Sequence, residues 1–404
     1  MGNNKSKNMD YRLRWLYVIL GAIIMMCFGT VYSWGVFRVP VEKYFNIGLT
    51  QSGFPYMTYL AFYALFMMLS GKYFNKFSPR AIILTGSLMT SFGWILSSFS
   101  STIYALTITY GVISGAGVGI AYGVPLVIVK KWFPDKKGLA IGLVLLGFGL
   151  SPLVTAPIAR LLIDAFGVMR TFLVLGVSFG VIVPILSCPF KYPTESEAAS
   201  LKKVSNKDYE PEDIDTKKML MTDSFKVLYI NFIIGTMIGL MLIGLTNSIG
   251  MQLIGLSQKT VALMISLFAV FNGIGRPVFG WITDKLSSKK AMLISYTLII
   301  TAAFLMSFAD DGSIVLFGIA FSMFWFNLGG WLAIAPTSTE MFYGEKHYSQ
   351  NFGVVFTAYG IGAILGVLGS GLILDIFENY HYVFYLVIGL SATGCLLTLK
   401  SIKD

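Results

Sequence analysis

Apolar residues run along this chain in continuous blocks, separated by short stretches rich in charge, glycine or proline. Each block is about twenty residues long, the length a helix needs to cross a bilayer core. The weak, alternating ten-residue segments of an outer-membrane barrel do not occur. A helix satisfies its own backbone groups in lipid, so the pattern predicts an all-α membrane protein with twelve transmembrane helices. They fall at about 15–37, 51–74, 81–99, 102–128, 138–163, 168–189, 226–251, 258–283, 291–308, 313–337, 350–374 and 381–399. The first block is too long for a signal-peptide core and no small-residue cleavage site follows it, so it is expected to be retained.

Composition excludes several classes. Of 404 residues, 55% are hydrophobic and 12% charged, whereas a soluble domain has about 25% charged. Cys27, Cys188 and Cys395 lie in apolar blocks and are odd in number, so neither a disulfide framework nor a zinc spacing is expected. Two histidines, His347 and His381, do not make a haem or metal site. A membrane-embedded enzyme needs convergent acids, histidines or a Ser–His pair at bilayer depth. The blocks carry no such set, so no enzymatic activity, cofactor or metal is expected.

Charge sets an expected topology. With the N-terminus in the cytoplasm, most of the lysines and arginines fall on the cytoplasmic side. The far side keeps Arg38, Lys43, Arg160, Arg170 and Lys259, and Arg276 alone lies within a block. Both termini are therefore expected in the cytoplasm of a multi-pass protein of the plasma or inner membrane. The net charge of +10 follows from this bias. It calls for no nucleic-acid partner, only attraction to anionic lipid. Residues 190–225 differ from their surroundings, mixing lysines with Glu195, Glu197, Asp208, Glu210, Glu212, Asp213 and Asp215. They read as a solvated cytoplasmic linker with a short amphipathic helix. The expected organisation is a six-helix half at 1–189, the linker at 190–225 and a second six-helix half at 226–404, in a monomer.

The two halves share a loop. GKYFNKFSPR (Gly71 to Arg80) aligns with GWITDKLSSK (Gly280 to Lys289). Gly71 matches Gly280, Asn75 matches Asp284, Lys76 matches Lys285 and Arg80 matches Lys289, each pair between the second and third block of its half. These loops resemble the Gly-x-x-x-Asp-Arg/Lys-x-Gly-x-Arg/Lys motif of the major facilitator superfamily, with Asn75 departing from the acid. The resemblance implies the major facilitator fold, a midplane binding site between parallel halves and gating roles for these eight residues. Their charges would pair with helix ends in one state and separate in the other.

Three stretches are more specific: GTVYSWGVFRVP (Gly29 to Pro40), KKWFPDKKGLAIGL (Lys130 to Leu143) and FNGIGRPVFGW (Phe271 to Trp281). They are similar to the oxalate/formate antiporter family and the related monocarboxylate carriers, which place a substrate-facing arginine in the eighth span. Read for itself, Arg276 is a costly group at bilayer depth, at about 2.5–3.5 kcal/mol on insertion scales. No Asp or Glu lies within a block, and the acids nearest to a span interior are Asp164 and Asp375 at outer ends. The missing counterion is expected to be a small carboxylate substrate, gripped by the guanidinium fork. Asn272 lies one turn earlier on the same face. Tyr32, Tyr122, Asn247, Asn327, Trp331 and Tyr359 fall where the transporter plan puts its cavity-lining helices and complete the candidate binding set.

The resemblance also narrows the chemistry. Oxalate-carrying members have a lysine in a Thr-Ala-Lys-Gly context of span 11, where this chain has FTAYG with Tyr359. One cation suits one carboxylate, which favours lactate, pyruvate or formate over oxalate. Animal monocarboxylate carriers have an Asp at the position of Asn272 and a Lys near Arg38. Without a buried acid, three couplings stay open: a proton travelling with the substrate, exchange against a counter-anion, or titration of rim groups such as Asp164 or Asp375. Glycines spaced by four in span 4 (Gly111, Gly115, Gly119, Gly123) and span 11 (Gly362, Gly366) predict close helix packing.

Overall fold

The structure, a computed structural model, describes residues 2–74, 76–133, 137–194 and 213–401. Every regular element among the described residues is a helix. Eleven helices are long and apolar enough to cross a membrane. They are α1 (Arg14–Phe45), α2 (Leu49–Gly71), α4 (Ile103–Trp132), α5 (Leu139–Phe166), α6 (Val168–Ser187) and α7 (Asp223–Gln252). They continue with α8 (Gln258–Lys285), α9 (Ser288–Met306), α10 (Ile314–Tyr343), α11 (Tyr348–Phe377) and α12 (His381–Lys400).

The third predicted block forms α3 (Pro79–Ser97), a 19-residue helix that is not among the eleven long and apolar enough to cross a membrane. Its Thr90 and Ser91 face other helices rather than lipid. Thr90 Oγ1 donates to Ser114 O at 3.3 Å, Ser114 Oγ donates to Thr90 O at 3.1 Å, and Ser91 Oγ donates to Gly176 O at 2.7 Å. Hydrogen bonds of this kind hold helices together where lipid offers no competing partner.

The first helix runs further than the apolar block predicts. It passes through a 3-10 stretch at Gly29–Ser33, continues over Pro40 and stops at Asn46, whose φ of 54° is left-handed. A 3-10 segment inside a long helix is a common hinge. The extension corrects the expectation that Arg276 is the one cation at depth and that acids stay at the rim near Asp164 and Asp375. Arg38 is 3% exposed, and Glu42 one turn later lies 3.4 Å from its Nε. A block read by hydropathy ends at the first charge, whereas the backbone hydrogen bonds do not.

The main contacts between the earlier and later parts of the bundle are α5 on α8 and α2 on α11, with α1 also meeting α7. Glycine makes the closest approaches possible. A Cβ on Gly275 would lie 2.1 Å from Phe326 O of α10, and one on Gly119 would lie 2.5 Å from Tyr63 O of α2. The spacing-four glycines of α4 and α11 are therefore packing positions, with Gly366 likewise set against Met237 O.

Residues 195–212 of the expected linker, with Glu195, Glu197, Asp208, Glu210 and Glu212, lie outside the described residues. The segment that follows is ordered against the α10–α11 turn. A short helix, Thr216–Met221, begins where Asp215 accepts from Lys218 N. Ile214 N donates to Tyr343 O at 3.0 Å, Asn351 Nδ2 donates to Ile214 O at 2.9 Å, and Thr216 Oγ1 donates to Asn351 Oδ1 at 2.7 Å.

Candidate substrate site

Helix α8 carries Asn272 and Arg276 four residues apart, on one face. Gly273 and Gly275 have no side chains to hold α5 and α10 away, so both polar groups are sealed between helices. Arg276 is 2% exposed. Its Nη1 donates to Leu145 O of α5 at 2.7 Å, while Nε and Nη2 are buried with no hydrogen-bond partner. Asn272 Nδ2 donates to Trp325 O at 3.0 Å, and its Oδ1 has no partner. A buried donor left unmade costs about 1–3 kcal/mol, more when charged, so two such donors on one guanidinium are unlike ordinary packing.

The guanidinium stands 5.7 Å from the ring of Phe148. That ring belongs to an aromatic cage drawn from five helices. Tyr32 of α1 and Tyr122 of α4 meet Phe148 of α5 edge-on at 5.2 and 5.4 Å. Tyr63 of α2 contacts Tyr122 at 5.0 Å, and Phe356 and Tyr359 of α11 at 5.2 and 5.7 Å. The hydroxyls of Tyr32 and Tyr359 are hydrogen-bonded at 2.9 Å. The charge of Arg276 reaches Tyr32, and the guanidinium comes close enough to Tyr122 to interact with its hydroxyl as well as through its charge. Every cage ring is buried.

Of the sequence-predicted residues, Arg276, Tyr32, Tyr122 and Tyr359 come together, with Asn272 one turn away. The other three stand elsewhere. Asn327 accepts from Ser295 Oγ at 2.8 Å and donates to Met323 O, bracing α10 against α9. Trp331 packs on Tyr296 at 5.3 Å and Phe232 at 6.5 Å, reaching the cage only through the Phe232–Phe356 contact. Asn247 packs against Gly35 of α1, and its Nδ2 points at Met251 Sδ. Helix register alone did not tell which face of α7 and α10 turns to the centre. Tyr63, Phe148 and Phe356 are cage members that sequence reasoning missed. The signal for Tyr63 was its stripe with Tyr56 and Tyr59, at spacings of three and four.

Contacts close the cage toward both ends of the bundle. Toward the end of α1, Arg38 donates to Ser52 Oγ at 3.0 Å, Leu49 O at 2.6 Å and Gly244 O of α7 at 3.2 Å, while Ser52 Oγ donates to Glu42 at 2.6 Å. Thr50 donates to Asp375 nearby. Tyr380, in the turn before α12, donates to Gln252 at 2.7 Å, and burial pushes its phenol up to about 12. Toward the opposite end, Lys130 of α4 pairs with Glu345 at 3.2 Å and Glu340 at 3.8 Å, and stands 4.5 Å from the Tyr348 ring. The repeated loops lie on this same end. Gly71 is set against Ser349 O at the start of α11, Lys76 stacks on Tyr73, and Arg80 is exposed. Gly280 lies near Ala333, and Asp284 and Lys285 are exposed with Lys289 half-buried. Asn75 lies outside the described residues.

The profile of the Major Facilitator Superfamily matches residues 18–339. The chain belongs to the Major Facilitator Superfamily. It is a multi-pass membrane carrier related to anion transporters. It is 28% identical over 375 residues to the oxalate:formate antiporter of Oxalobacter formigenes, covering 91% of this chain and 86% of that one. It is 26% identical to monocarboxylate transporter 12 of Xenopus laevis, covering 81% of this chain and 75% of that one. The fold is similar to the crystal structure of a bacterial homolog of the human lysosomal transporter Spinster, in an inward-facing and occupied conformation. The TM-score is 0.72 at 13% identity, covering 96% of this chain and 97% of that chain.

Proposed function

We propose that this carrier moves a small monocarboxylate of the lactate, pyruvate or formate class across the membrane by alternating access, together with a proton. The observation that carries the reading is the half-used guanidinium of Arg276. Nη1 is committed to Leu145 O, and the remaining edge, Nε and Nη2, is buried and unpartnered. That edge is the fork that binds a carboxylate through two parallel charge-assisted bonds. Tyr32, Tyr122 and Tyr359 surround it as neutral donors, and their rings keep water from the ion. Asn272 Oδ1 stands ready for a donor on the substrate. Asn247, Asn327 and Trp331 act through packing or enter the site only in another state of the cycle.

With no acid beside Arg276, the proton travels on the substrate complex itself. The second reading is exchange of one anion for another, supported by the similarity to an oxalate:formate antiporter. In either mode the halves 1–189 and 226–404 rock about the cage, joined by the linker 190–225. In this reading both termini lie in the cytoplasm with the basic loops. There the Lys130 pairs, with Gly71, Asn75, Lys76, Arg80, Gly280, Asp284, Lys285 and Lys289, form the cytoplasmic gate. The Arg38–Glu42–Ser52 network forms the outer one. The carrier works as a monomer.

Uptake of labelled lactate into proteoliposomes with an alkaline lumen and no internal substrate tests the proposal. Uptake that collapses with a protonophore supports proton-coupled transport. Uptake that appears only after preloading with formate or oxalate assigns exchange. Silence in both arms removes small carboxylates as the substrate class.

A further inference from the structure

A groove of about 380 Å³ opens on the side of the bundle between α2, α3 and α4. Its walls are Phe66, Leu69, Tyr73, Phe77, Ile82 and Ile120, with Ser70 and Thr85 as minor polar points. Leu69, Tyr73 and Phe77 are 39%, 42% and 57% exposed. They turn outward from the bundle, to the side that an apolar spanning helix shows to lipid.

The mouth of the groove is cationic. Lys72 and Lys76 both stack on the Tyr73 ring, at 5.3 and 5.5 Å, so one wall residue holds two ammonium groups at the rim. Arg80 follows at the start of α3 and lines an adjoining cleft with Lys191 and Tyr192. Lys72, Lys76 and Arg80 make no ion pair among the described residues. The chain contains no Asp or Glu between Glu42 and Asp135, so none of the three helices lining the groove carries an acid. Lys130, in the last turn of α4 on this same end of the bundle, differs in having Glu340 and Glu345 as partners.

We propose that this groove is a binding site for one anionic phospholipid. An acyl chain lies along Phe66, Leu69, Phe77 and Ile120, and the phosphate is held by Lys72 and Lys76. An apolar slot alone would take any lipid tail. The two lysines fixed on Tyr73, without a counter-charge among the described residues, select a headgroup with net negative charge. Basic clusters at a helix end recognise anionic headgroups in this way. The site is separate from the Arg276 cage, and a lipid there touches the loop that follows α2.

Native mass spectrometry of the purified, delipidated full-length carrier tests this, with phosphatidylglycerol and phosphatidylcholine of identical acyl chains as probes. The expected result is one phosphatidylglycerol retained about tenfold more than phosphatidylcholine. The Lys72→Gln/Lys76→Gln double variant should bring retention of the two lipids level. Thr85→Trp, which fills the groove, should lower retention of both. Gel filtration and thermal melting of each variant confirm folding. Equal retention of the two lipids by the unaltered carrier overturns the proposal, as does undiminished phosphatidylglycerol binding by the folded double variant. Equal binding of soluble glycerol phosphate shows a bare phosphate site and overturns the role of the groove.

Discussion

The hydroxyls of Tyr32 and Tyr359 meet at 2.9 Å in the centre of the bundle, joining α1 to α11 directly beside Arg276. The bond links residues 327 positions apart, so in the proposed rocking cycle it spans the two moving parts. Tyr32→Phe and Tyr359→Phe should each raise the substrate dissociation constant modestly. The double variant should cost less than the sum, with a coupling of about 1 kcal/mol, the net worth of a neutral hydrogen bond. Isothermal titration of the four proteins in detergent measures it, and strict additivity would detach the pair from the site.

Arg276→Gln should keep the fold and lose the substrate. Removing a charge with two unmet donors relieves a buried penalty, so the melting temperature should hold or rise. Binding should weaken by about 10- to 100-fold, the value of charge-assisted hydrogen bonds of roughly 1.5–3 kcal/mol. Thermal melting and uptake together check both halves of the statement. A well-folded variant that transports normally would end the anion-site proposal.

The gates are testable separately. Glu42→Gln leaves Arg38 buried without its neutralising partner, and Lys130→Gln removes both opposite-end pairs. Each should favour opening at its own end, read as faster labelling of a cysteine introduced beside the cage from that side only. Asp284→Asn should slow turnover with substrate affinity changed less. Labelling that responds equally from both sides would show general loosening rather than gating.

Glycine 275 offers a stability test. A Cβ there would press to 2.1 Å on Phe326 O, backbone that has no rotamer to yield. Gly275→Ala should destabilise by about 1–3 kcal/mol, as overpacking does. Gly142→Ala, which meets nothing within 4 Å inside α5, should be neutral or stabilising by up to about 1 kcal/mol. Thermal melting of the two variants side by side checks the contrast.

The linker strap should not respond to physiological pH. Lys218 N–H donates to Asp215 and holds its carboxyl below the usual carboxylate range. A depressed folded value means that the cap's contribution is complete above the ordinary pKa of about 3.9 and is lost as pH falls through the lower folded value. Hydrogen exchange of residues 213–222, corrected for its intrinsic rate, should be alike across about pH 5 to 8, and faster in Asp215→Ala. A protection loss within that range would assign the strap a pH-sensing role.

Much of this protein is a consequence of hydropathy, which needs only local order. Blocks of about twenty apolar residues become helices because lipid offers the backbone no other partner. The duplicated loops and Arg276 were legible for the same reason, since a charge in an apolar block is conspicuous without knowledge of its neighbours. Tertiary structure alone decided what surrounds that charge. Tyr32, Tyr63, Tyr122, Phe148 and Tyr359 come from five helices, and their meeting depends on glycine contacts such as Gly119 against Tyr63 and Gly275 against Phe326. Asn327 and Tyr359 look equally suitable along the chain. One is turned to Ser295 and the other to Tyr32 by helix rotations that the packed interface sets. Arg38 and Glu42 show the converse limit. Their pairing follows from the backbone continuing as helix beyond the apolar block, and their burial follows from Ser52, Leu49 and Gly244 closing over them.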